Sequence, residues 1–217
     1  MQGKIVLAGG GSEKDSRSID EVFASWVTPN QKILYLPLAS RGIRPYNECL
    51  RWISTTFSPL NITNIEMWTD LSEHQSNELF EFAAVYIGGG NTYSLLAQLL
   101  ESGFHRHLIE YVSHGRIIYG GSAGAAILGK DIRTVEHIDH NKIGLVETKG
   151  LNLAENHAVW VHYQPQDDEL IFQFQDKYNH PVLAISERAG IVVDNSEINS
   201  VGFDSAYLFD RQGKHRL

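Results

Sequence analysis

The chain has 217 residues, 42% of them hydrophobic and 20% charged, a size and balance that suit one α/β domain with a sizeable core and exclude a disordered chain. Its formal net charge of -8 argues against a general nucleic-acid or anionic-membrane binder, since those partners reward a basic surface. A single cysteine, Cys49, excludes an internal disulfide and a cysteine-based zinc site and is read as a buried structural thiol.

Residues 1–9 move straight into a strand pattern, and no apolar run approaches the roughly 20 residues of a membrane span. A cytoplasmic location is therefore expected, and the sequon at Asn61-Ile62-Thr63 is read as accidental. Residues 4–8 form a buried-type strand that opens into Gly9-Gly10-Gly11-Ser12. Neither a dinucleotide fingerprint nor a P-loop is completed there, so these glycines do not argue for nucleotide binding. Apolar spacing predicts a helix over 18–26, a strand over 32–38, a helix over 46–57, a strand over 62–67 and an amphipathic helix over 72–82. Strands alternating with helices at this rhythm imply a parallel sheet covered on both faces.

The strand at 83–87 ends in Gly88-Gly89-Gly90-Asn91-Thr92 and leads into a helix over 93–101. Consecutive glycines there let the backbone come close to another group and turn free amides toward an anion or a polarised carbonyl. After a helix over 104–113, residues 116–128 read as a strand that breaks at Gly120-Gly121 and resumes as a helix. Gly120-Gly121-Ser122-Ala123-Gly124 has the spacing of a nucleophile elbow, which holds a serine hydroxyl clear of the backbone and directs helix amides toward it. Both glycine stretches fall at the carboxyl ends of predicted parallel strands, the edge where such sheets bind ligands.

Residues 130–155 are polar and read as a long functional loop or short strands. Residues 159–163 alternate as a strand with His162 at its end, and a helix within 164–178 opens on Asp167, Asp168 and Glu169. The runs 182–186, 190–193, 198–202 and 206–209 read as short strands in antiparallel hairpins that close one side of the sheet.

A serine nucleophile needs a base, and the base a carboxylate to hold its tautomer. Of ten histidines, His105, His107, His114, His180 and His215 are explained by surface positions, while His137, His140, His157 and His162 cluster after the elbow. His162, presented by a strand, is the best base candidate. The same four with Asp139 also permit a metal reading, but neither a helical His-Glu-x-x-His nor a cysteine pair supports it, so no metal or organic cofactor is expected.

Ile87-Gly-Gly-Gly-Asn-Thr92, Gly121-Ser-Ala-Gly-Ala125, Ile132-Arg-Thr134, Leu151-Asn-Leu153 and a strand ending in His162 together resemble the peptidase E and cyanophycinase family of serine peptidases, most strongly between Tyr86 and Tyr163. The resemblance implies a class I glutamine amidotransferase-like fold, a three-layer α/β/α sandwich with a mostly parallel central sheet and C-terminal antiparallel hairpins. It also implies Ser122 as nucleophile, His162 as base, and an oxyanion hole from the amides of Gly89, Gly90 and Ala123. Peptidase E carries an aspartate fourteen residues ahead of the final leucine of Leu-Asn-Leu, which lands on Asp139 and makes it the expected third member, with Glu136 as runner-up. Glu187 resembles a further acidic position of the family that lines the site or braces the histidine. One departure stands out: the stretch after His162, residues 164–169, is acidic and lacks the arginine with which aspartyl dipeptidases of the family pair their substrate. Strict aspartyl specificity is therefore not expected, and an acidic rim of Asp167, Asp168 and Glu169 would favour an amino group or a basic side chain.

The expectation is a single-domain serine peptidase that hydrolyses short peptides, as a dipeptidase or aminopeptidase, through an acyl-enzyme. The alternatives are a catalytically silent protein or an esterase-like acyl-transfer enzyme on the same fold. The sequence leaves a homodimer open.

Overall fold

A computed structural model describes residues 3–217, so Met1 and Gln2 of the amino-terminal stretch lie outside the described residues. Five parallel strands form its centre: β1 (Lys4–Ala8), β2 (Ile33–Leu36), β3 (Ile65–Met67), β4 (Ala84–Ile87) and β5 (Ile117–Gly121). They lie in the order β3-β2-β4-β5-β1. Beyond β1 the sheet continues antiparallel with β8 (Ala189–Asp194) and β9 (Glu197–Gly202).

Successive strand residues face opposite sides, so continuous apolar runs feed two cores at once. Ile5, Leu7, Leu34 and Ile87 pack on one face under α3 (Thr92–Ser102), α4 (Phe104–Ser113) and α5 (Ala123–Leu128). Val6, Ala8, Tyr35, Tyr86 and Tyr119 pack on the other under α1 (Arg17–Trp26) and α2 (Tyr46–Phe57). Phe57 is fully buried there, edge-on to Phe23 and Tyr86 at 5.6 Å each. Truncating it to alanine should cost about 3–5 kcal/mol. This is the expected three-layer α/β/α arrangement with a mostly parallel central sheet.

The carboxyl-terminal strands divide between two sheets. Two of the four expected hairpin strands, β8 and β9, close the main sheet. The other two, β7 (Val182–Ala184) and β10 (Tyr207–Asp210), join β6 (Ala158–Trp160) and β11 (Gly213–Arg216) in a second sheet of order β11-β10-β7-β6. There β6 and β7 run parallel across α6 (Asp168–Tyr178), over a small core of Trp160, Ile171, Phe174 and Phe209. A short apolar run announces a strand but not its partner, which is why the sequence did not separate the two sheets.

Residues 72–82 also differ from expectation. They form two 3₁₀ segments, Leu71–Glu73 and Ser76–Glu81, instead of one α-helix. Asp70 captures the Ser72 amide and Gln75 forms a capping box with Glu78, so side chains compete locally for the backbone groups a continuous helix would need.

Candidate active site

β5 ends at Gly121 and α5 begins at Ala123, which leaves Ser122 alone at the corner with φ 51° and ψ -112°. Backbone strain of this kind costs about 1–3 kcal/mol and persists only where neighbours over-determine it. Here the Ser122 amide donates to the Ala8 carbonyl at 3.0 Å, and its own carbonyl accepts from Ala125 and Ala126 at 2.8 and 3.0 Å. The corner closes tightly: a Cβ on Gly124 would stand 2.2 Å from the Ile87 carbonyl oxygen, so the helix start packs directly against β4.

Ser122 Oγ lies 2.8 Å from His162 Nε2, and His162 Nδ1 lies 2.9 Å from Glu187 Oε1. An ionised carboxylate only accepts, so Glu187 fixes the proton of the neutral imidazole on Nδ1 and leaves Nε2 free to accept from the serine. His162 stands two residues beyond β6, also at positive φ (53°), with its amide held by the Gly9 carbonyl at 3.0 Å. Glu187 follows β7, the parallel neighbour of β6, and the pairing of these strands brings together residues 25 apart in sequence.

Asp139, the expected third member, is not the carboxylate at His162. Its Oδ2 accepts from the Thr92 amide at 2.7 Å, at the start of α3, where the unpaired amides and helix dipole favour an anion. Next to it, Asn91 Nδ2 donates to the His140 carbonyl and ties the same loop to the helix. Glu136 is exposed beside His137, along a shallow groove with Trp160 and Tyr178.

The four clustered histidines serve separate ends. His137 stacks on Trp160 at 4.2 Å, and burial against that ring lowers its pKa; His157 Nδ1 bonds the Ala154 carbonyl. Among the described residues no group of three potential ligands is gathered for a metal ion. The acidic rim is likewise engaged: Asp167 caps its own turn through the Gln164 amide, and Asp168 pairs with Lys214 at 2.9 Å and accepts from Tyr163.

Gly89 and Gly90 flank the serine from the end of β4. A Cβ on Gly89 would lie 3.6 Å from Ser122 Oγ. Ser40 Oγ donates to the Gly89 carbonyl at 2.9 Å and so fixes the peptide plane, turning the Gly90 N–H to its opposite side. Among the described residues, the amides of Gly89, Gly90 and Ala123 donate to no backbone carbonyl.

Sequence reasoning missed the part played by the first glycine loop. Gly10 sits at φ 106° with its α-carbon wedged between base and nucleophile: a Cβ there would lie 2.6 Å from His162 Cε1 and 2.7 Å from Ser122 Cβ. On Gly11 it would lie 2.6 Å from the Glu187 carbonyl oxygen. The available signal is the run of three glycines at the carboxyl end of the first strand.

A cleft of about 450 Å³ opens in front of Ser122, walled by Tyr35, Trp52, Tyr86 and Tyr119. A larger cleft of about 750 Å³ between α6 and the β10–β11 hairpin contains no serine and base pair, so the chemistry points to the smaller one.

A model of peptidase family S51 matches residues 5–201. The chain belongs to this family. Among its relatives, a protein named peptidase E from Shewanella denitrificans is 28% identical over 189 residues, covering 82% of this chain and 78% of the relative. An uncharacterized peptidase from Listeria innocua is 29% identical over 98 residues, 44% of this chain and 47% of its own length. Across that relative and two others the aligned stretch covers 36% to 58% of their length, about half. In three dimensions this S51 member superposes on a crystal structure from Listeria monocytogenes with a TM-score of 0.76 at 21% identity, covering 94% of this chain and 100% of the other. A peptidase from an acI-B1 Actinobacterium superposes at 0.71 with 18% identity, covering 100% and 94%. At these identities the likeness concerns the fold.

Proposed function

We propose that this member of family S51 is a serine peptidase acting as a single domain on short peptides through an acyl-enzyme, with Ser122, His162 and Glu187 as its working triad. The observation that carries the reading is the continuous chain of contacts from Ser122 Oγ to His162 Nε2 at 2.8 Å and from His162 Nδ1 to Glu187 at 2.9 Å. Ser122 attacks the scissile carbonyl carbon as its proton passes to His162 Nε2. Glu187 accepts the Nδ1–H bond and stabilises the imidazolium that forms. The negative oxygen of the tetrahedral intermediate is received by the free amides around Gly89, Gly90 and Ala123. The imidazolium then protonates the departing amine, and water, activated by the same nitrogen, releases the acyl group. No metal or organic cofactor takes part in these steps.

A cleft of about 450 Å³ suits one side chain and its flanking backbone, which supports short substrates. No described helix is long and apolar enough to cross a membrane, and we assign the protein to the cytoplasm as part of this reading. A fluorophosphonate probe followed by peptide mapping tests it. Labelling at Ser122, with cleavage of members of a dipeptide and tripeptide library, supports the proposal. Absence of labelling identifies a silent member of the fold, and labelling with ester but no peptide turnover identifies an esterase.

A further inference from the structure

The cleft in front of Ser122 has a defined place in the reaction, given a serine peptidase acting through that residue. It is lined by Ser122, Gly89, Gly90 and Gly121 but not by His162. The base must stand beside the leaving amine, so the side of the serine that faces away from it and toward the free amides receives the acyl half of the substrate. The cleft thus takes the side chain of the residue whose carbonyl is attacked.

Its serine hydroxyls have a consistent sense. A hydroxyl carries one proton, and once that proton is committed to a protein acceptor, only lone pairs remain for a ligand. Tyr119 donates to Asp20 Oδ1 at 2.7 Å. Ser16 donates to Asp20 Oδ2 at 2.8 Å, or alternatively to the Ser12 carbonyl at 3.2 Å, inward in either case. Ser12 donates to Asp15 Oδ2 at 2.6 Å and Ser40 to the Gly89 carbonyl at 2.9 Å. All four residues line the cleft and all four hydroxyls are turned inward; Tyr119 is itself fully buried, which leaves the oxygens of the three serines to meet a ligand. Tyr35 and Tyr86 are buried with their hydroxyls engaged by Cys49 and Tyr119, and at the exposed mouth Glu13 and Arg44 supply one charge of each sign. The aromatic walls add faces that attract a cation or stack on an amide.

We propose that this cleft is the acyl-side specificity pocket and that it selects a side chain ending in nitrogen donors, a carboxamide or a cation, over a carboxylate. A carboxylate would bring its lone pairs against the lone pairs of these serines, whereas an amide or ammonium group satisfies them. Asp20 is the positioning residue of this arrangement. It is 1% exposed, touches no substrate, and sets the direction of two lining hydroxyls. Replaced by asparagine, it would offer one acceptor and one donor, so it could no longer accept from both Tyr119 and Ser16.

Burial raises the Asp20 pKa to about 6 against the hydrogen bonds that lower it. The charged and titratable groups that act on it are Arg17 and Glu21 on its own helix and Tyr119 and Tyr86 on the sheet. Protonation makes Asp20 itself a donor and frees a lining hydroxyl to turn outward, so selectivity for nitrogen donors should strengthen as pH rises through this value.

The test compares isosteric fluorogenic substrates carrying asparagine or aspartate on the acyl side, with free amino termini and with a preceding glycine, on the full chain. The rate of fluorophosphonate labelling is followed in parallel. The expected result is a kcat/KM ratio of asparagine over aspartate of about tenfold or more near neutral pH, falling as the pH is lowered below about 6. In Asp20→Asn that ratio should drop toward unity and lose its pH dependence, and in Ser16→Ala, which leaves the buried carboxyl in place, it should fall partway. A wild-type ratio at or below unity with normal labelling of Ser122 overturns the inference and leaves the peptidase reading standing. So does an unchanged ratio in Ser16→Ala and in a folded Asp20→Asn. Absence of labelling overturns both.

Discussion

Ser122 and His162 are carried by two differently built halves of the molecule. Ser122 sits at the end of a central parallel strand, clamped between the Ala8 carbonyl and the first turn of a helix, where neighbours on every side are fixed by the main sheet. His162 and Glu187 sit on loops that leave β6 and β7 of the small second sheet, and their side chains are 30% and 57% exposed. The glycine loop after β1 joins the halves, since the Gly9 carbonyl holds the His162 amide and the Gly9 amide in turn donates to Ala189. One half holds Ser122 in a strained corner, and the other presents an imidazole and a carboxylate from more exposed loops. The contrast suggests that changes at the serine abolish the chemistry, whereas changes on the base side weaken it by degrees.

The largest effect should come from Ser122→Ala, with peptide turnover reduced by roughly 10³-fold or more while the thermal transition is retained. Glu187→Gln should reduce kcat by roughly 10²-fold. That is less than for a fully buried carboxylate, because water can partly replace a group this exposed. Gly10→Ala tests the joint between the halves. Its new Cβ would overlap both the His162 ring and Ser122 Cβ at a backbone angle alanine avoids, and kcat should fall about 10²-fold with KM changed less.

A fourth prediction concerns stability. The folded pKa of Asp20, about 6, lies above the ordinary aspartate value of 3.8, so the folded state holds the proton more tightly across that interval. Its contribution to stability is therefore greatest below about pH 4 and is lost as pH rises through about 6, an effect on the order of 3 kcal/mol. Wild type should lose stability relative to Asp20→Asn over this window in thermal melts; a constant difference would contradict the assignment. The smallest effect is expected for Asp139→Asn, about 0.5–1 kcal/mol from the start of α3, with kcat/KM within about threefold of wild type.

Glu187 and Asp139 mark how far the site is legible in the sequence. Ser122 was legible because an elbow is a local event: strand, glycines, serine and helix are contiguous, and the sterics of the corner demand that composition. The parallel sheet was legible for a similar reason, from the rhythm of apolar runs and glycines. His162 is legible from its place at the end of an apolar run, although the strand itself stops at Trp160 and His162 stands two residues beyond it. Glu187 is legible as an acidic position that lines the site or braces the histidine, but not as the carboxylate in place of Asp139, since its approach to His162 depends on β6 pairing with β7, which short apolar runs do not encode. Counting along the chain instead favoured Asp139, whose carboxylate serves the Thr92 amide. The long-range role of Gly10 was likewise hidden, because a glycine wedged against side chains from two distant segments looks in sequence like any turn.

The central claim, that the proton relay runs from Ser122 through His162 to Glu187, is tested most directly by the second-order rate of fluorophosphonate labelling at Ser122 in wild type, Glu187→Gln and Asp139→Asn. We expect labelling slowed by roughly 10²-fold in Glu187→Gln and unchanged within about threefold in Asp139→Asn. The reverse pattern, with Asp139→Asn slow and Glu187→Gln unaffected, would contradict the account.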